Sequence, residues 1–64
     1  MKTFLVSYET RKNGAIGEFS PVWFTVEIHQ DSFSDADIYR AAREQAYAAD
    51  LEVRFPVELH EVKE

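Results

Sequence analysis

Glu27-Ile-His29 and Glu58-Leu-His60 bring together the side-chain types most suited to holding a metal ion. Carboxylate oxygens and imidazole nitrogens both bind zinc, and four such ligands make a complete site. The i, i+2 spacing puts both members of each pair on one face of a strand. A shared ion would need the two strands side by side. With both strands at the edges of a three-stranded sheet they lie about two strand spacings apart, near 10 Å, which is too far without side-chain reach. The expectation is no metal and no cofactor, with Glu27, His29, Glu58 and His60 as ordinary polar residues near strand ends.

Other reactive arrangements are missing. Without cysteine there is no thiolate nucleophile or thiolate metal site. The chain holds no glycine-rich phosphate loop and no Gly-x-Ser-x-Gly elbow. Ser34 is required as a helix cap, and no spacing argument brings a histidine to a serine. A core this thin leaves little room for a closed pocket. The chain is therefore read as a non-enzyme. Arg40, Arg43 and Tyr47 share the outward side of the helix, where Arg40 is flanked by Asp37 and Glu44. That arrangement suits a solvated surface better than an anion site.

The elements that position these residues follow from a repeat. Phe24-Thr-Val-Glu-Ile-His29 and Phe55-Pro-Val-Glu-Leu-His60 match at four of six positions. In each, apolar side chains fall on every second residue, the period of a half-buried strand. A first strand spans Lys2 to Thr10, with Phe4, Val6 and Tyr8 in alternation. A second spans Glu18 to His29, and a third Leu51 to Val62. Asn13-Gly14 signals the turn between the first two. An odd loop with a glycine bulge, pairing Phe4 with Phe24 and Val6 with Val22, unites the two most apolar faces.

Between the second and third strands lies a helix, expected over Asp35–Ala49. Ser34 is its N-cap, and Asp37 three residues on completes an acidic variant of the capping box. Phe33 and Ile38 have the spacing of a hydrophobic staple. The inward stripe is Ile38, Ala41, Ala42, Gln45, Ala46 and Ala49, mostly methyl groups. The bulk must come from the sheet, through Phe4, Val6, Phe24, Val26, Phe55 and Val57.

Pro21 and Pro56 assign their strands to edges, because proline cannot donate to a ladder. The expected fold is α+β with ββαβ order. Its three-stranded sheet has the order third-first-second, with the first strand central and antiparallel to both neighbours. One helix packs on one face. Residues 1–64 form a single small domain. The uncovered face then gathers Leu5, Phe19, Pro21, Trp23 and Pro56 into an apolar patch. A tryptophan on an open face is a favoured anchor for a partner. These five residues are the expected partner-binding site.

Twelve acidic residues against seven basic ones give a net charge of −5. That balance opposes direct nucleic-acid binding, which needs clustered cations to displace counterions. It permits an alternative in which the chain mimics nucleic acid and inhibits a DNA- or RNA-binding protein. That alternative requires Glu9, Glu18, Glu27, Asp31, Glu52, Glu58 and Glu61 to converge. No apolar run approaches the ~20 residues of a membrane helix, and the N-terminal apolar stretch is too short for a signal peptide. A cytoplasmic location is expected.

Three segments carry a resemblance: Phe24-Thr-Val-Glu27, Ser34-Asp-Ala-Asp37 and Ala49-Asp-Leu-Glu-Val53. With them the whole chain resembles the short accessory proteins encoded by bacteriophages and prophages. The resemblance implies a small intracellular protein that works by binding a host or viral partner, possessing no residue-level motif to transfer. The expected partner is a protein, including a second copy of the chain as a homodimer.

Overall fold

The computed structural model describes residues 1–63. Among them are three strands and one helix: β1 (Lys2–Lys12), β2 (Ser20–Ile28), α1 (Asp35–Ala48) and β3 (Leu51–Val62). The sheet order is β2-β1-β3, and β1 is antiparallel to both neighbours. This is the expected ββαβ arrangement, with β1 central because it alone lacks proline.

The β1–β2 hairpin opens with a turn over Lys12–Ala15. The Ala15 N–H donates to the Lys12 carbonyl at 3.0 Å, and Gly14 sits at φ +84°. A positive φ at the third turn position is the type II geometry that favours glycine. The strands pair Phe4 with Val26 and Val6 with Phe24. The two apolar faces meet, as the odd loop requires. The specific partners differ by two residues from Phe4–Phe24 and Val6–Val22, because the connection is longer than a tight bulged turn. A shift of two preserves the faces.

The core consists of Phe4, Val6, Tyr8, Phe24, Val26 and Ile28 from the sheet, with Ile38, Ala42 and Ala46 from the helix. The small helix residues admit close approach, and the sheet supplies the volume. Phe33 packs its ring edge-on against Phe4, with centroids 5.7 Å apart. Tyr8 meets Tyr39 in the same way at 6.0 Å. Burial pushes the Tyr8 phenol above its ordinary pKa.

Local hydrogen bonds fix both ends of α1. At its start, the Ser34 N–H and hydroxyl both donate to Asp37 Oδ2, at 3.0 and 3.3 Å. At its end, Ala49 is the C-cap and is exposed, not part of the inward stripe. Asp50 follows at φ +60°, a left-handed residue that turns the chain into β3. Gln45 is also exposed, yet its Nε2 donates to the Thr25 carbonyl of β2 at 2.6 Å.

β3 departs most from expectation. Phe55 and Val57 are 56% and 52% exposed, so neither reaches the helix. The β1–β3 register slips by one residue between Ser7 and Tyr8, and again between Tyr8 and Thr10. Each slip is a bulge that reverses which side chains face inward. The two reversals flank Pro56, whose missing N–H suits a bulged segment. Leu51, Val53 and Leu59 take the inward positions instead and pack against the core. The second copy of the hexapeptide is extended like the first but does not share its facing.

Candidate interaction surface

The face opposite α1 is built by register. Leu5 and Ser7 of β1 lie between Thr25 and Trp23 of β2 on one side, and between His60 and Glu58 of β3 on the other. Trp23 is paired with Ser7, and His60 with Leu5, so the two rings are diagonal across the central strand. Outer strands are separated by about 10 Å. The ring centroids of Trp23 and His60 are only 5.7 Å apart, at an interplanar angle of 33°. The rings therefore lean toward each other over β1. Ser7 is 2% exposed despite facing away from the helix, whereas Trp23 keeps 48% of its surface in water and Leu5 36%. The indole is both seated and accessible. Pro21 is exposed two residues along the same strand.

Phe19 faces the same side but is not free surface. The Arg11 guanidinium lies 4.4 Å from its ring centroid and that of Arg54 5.5 Å, with Arg54 also 5.1 Å from Phe55. Cations over an aromatic face are attracted by its quadrupole. Each guanidinium also has a carboxylate. Arg11 reaches Glu52 at 3.4 Å, and Arg54 reaches Glu9 at 4.0 Å. Arg11 Nη1 donates to the Gly17 carbonyl at 2.9 Å, tying the hairpin loop to the sheet. Glu52 additionally accepts from the Gly14 N–H at 3.1 Å. That bond first, and Arg11 second, hold its carboxyl below the ordinary range. Next to it, the Asn13 N–H donates to the Asp50 carbonyl at 2.9 Å, which joins the hairpin turn to the helix–β3 junction.

Of the five residues expected to form the patch, Leu5 and Pro21 lie on either side of Trp23 along the open face, Leu5 opposite Thr25 and Pro21 opposite Glu9. Phe19 is clamped beneath two arginines, and Pro56 is paired with Tyr8, a helix-facing residue. Sequence reasoning missed His60 as the neighbour of Trp23, and missed the Arg11–Phe19–Arg54 clamp. Pro56 was the available sign that β3 bulges. The Glu27–His29 and Glu58–His60 contacts, at 3.8 and 3.4 Å, are two separate pairs. Among the described residues no three metal-ligating side chains converge on one point. Arg40 contacts Asp37 at 3.8 Å on the exposed helix face.

No helix among the described residues is long and apolar enough to cross a membrane. Comparison with known proteins found no matching family model, no similar curated protein and no similar solved structure.

Proposed function

We propose that this chain is a small non-enzymatic interaction module that docks a protein, first of all a second copy of itself, through the open sheet face around Trp23. The observation that carries this reading is the half-exposed indole leaning across β1 toward His60, with Leu5 and Pro21 on either side of it. An aromatic ring already held by its neighbours loses little rotamer freedom on binding. Tryptophan is also among the residues that most often dominate interface energy. The resemblance to phage and prophage accessory proteins supports a cytoplasmic, partner-binding role.

Nucleic-acid mimicry receives less support. Glu9 and Glu52 on this face are matched by Arg54 and Arg11, and Glu61 is paired with the helix-facing Phe4. Mimicry needs a field of unmatched negative charge.

Sedimentation velocity of the wild type and Trp23→Ala tests the proposal. Association should weaken by about tenfold or more, equivalent to about 1.4 kcal/mol, while helical circular dichroism is retained. Unchanged association would remove the patch from consideration.

A further inference from the structure

The two edges of the sheet are not equally protected. Each edge strand holds one proline, Pro21 in β2 and Pro56 in β3, but β3 alone carries two bulges, together with Glu52, Arg54, Glu58 and Glu61. Bulges, proline and charge are the devices that keep an edge from recruiting another strand. β2 keeps an unbroken register with β1 from Ser20 to Ile28. Between Glu18 and Asp31 the only Asp, Glu, Lys or Arg is Glu27. A chain of net charge −5 meets least self-repulsion where its charge is thinnest.

Two observations fix which backbone groups face outward. The Thr25 carbonyl is reached by Gln45 from outside the β1–β2 ladder. Pro21, of the same parity, has no N–H to give β1. In an antiparallel strand the N–H and C=O of one residue point the same way, and sides alternate along the chain. Pro21, Trp23, Thr25 and Glu27 therefore present their backbone groups to the free edge. The Thr25 carbonyl retains a second lone pair beside its bond to Gln45.

We propose that this edge pairs antiparallel with the same edge of a second copy, around a two-fold axis at Phe24, joining two sheets into one of six strands. The register engages all nine residues of β2. Trp23 opposes Thr25 of the second copy, Pro21 opposes Glu27, and Phe24 meets its own equivalent, as two-fold symmetry demands. The two Glu27 positions then lie six residues apart, about 20 Å, well beyond the Debye length at physiological salt. The inference rests on the self-associating form of the proposed function and adds a backbone edge to its side-chain face.

Amide hydrogen exchange at dilute and high concentration, with sedimentation run in parallel, tests it. A monomer–dimer transition is expected. Protection of the Trp23 and Thr25 amides should rise about tenfold or more with it, while those of Phe24 and Val26, bonded to β1, stay protected throughout. Thr25→Pro removes only an outward donor and should give a monomer with its helix intact. A dimer whose Trp23 and Thr25 amides remain unprotected overturns the edge and leaves the face reading standing. Protected amides in an assembly indifferent to Trp23→Ala keep the edge and remove the face. A strict monomer at every concentration overturns the edge and leaves only a different protein as partner.

Discussion

Glu52 shows how one side chain joins parts of the chain that are distant in sequence. Its carboxylate accepts from the Gly14 N–H of the hairpin turn and from Arg11 of the central strand. Both bonds favour the ionised form, so its folded pKa lies below its unfolded one. The stabilisation is therefore present above the unfolded pKa and is lost as pH falls through the folded value. Glu52→Gln should lower the melting temperature at neutral pH. The gap from wild type should close as pH drops below about 4, the ordinary range of a glutamate. A gap that stays constant across acid titration would show that the carboxylate's charge plays no part.

At the scale of elements, a helix lined with methyl groups against a sheet of larger residues leaves no spare volume. Ala46 is fully buried, whereas Ala48 faces solvent. Ala46→Leu should destabilise by about 1–3 kcal/mol in urea unfolding through overpacking, with Ala48→Leu close to neutral. An equal effect at both positions would contradict the packing. The helix was legible in the sequence because Ser34, Asp37 and the Ile38–Ala42–Ala46 spacing act locally. β1 and β2 were legible because their alternation is unbroken. β3 was not. Two one-residue slips reverse and then restore its facing, so Phe55, Val57 and Leu59 look uniform in sequence although only Leu59 turns inward. The lean of Trp23 toward His60 was also hidden. It depends on two edge strands bending their side chains across a third, which no linear spacing encodes. The clamp on Phe19 likewise depends on Arg11 and Arg54, brought together only by strand pairing.

The whole molecule is long and thin, 40 × 17 × 16 Å. Its accessible surface of 4603 Å² exceeds the roughly 4,200 Å² that scaling gives for its mass. A 14-residue helix covers about 21 Å of one face, so much of the sheet must face water or another chain. Association through the β2 edge and the Trp23 face would remove the apolar surface that such a shape cannot hide by itself. Trp23 is the sole tryptophan, so its fluorescence reports on this face alone. The most direct measurement is acrylamide quenching of that emission from dilute to concentrated protein. Quenching should fall and the emission shift to the blue as sedimentation shows association. An assembly that forms while Trp23 stays as open to quencher as in the monomer would contradict it.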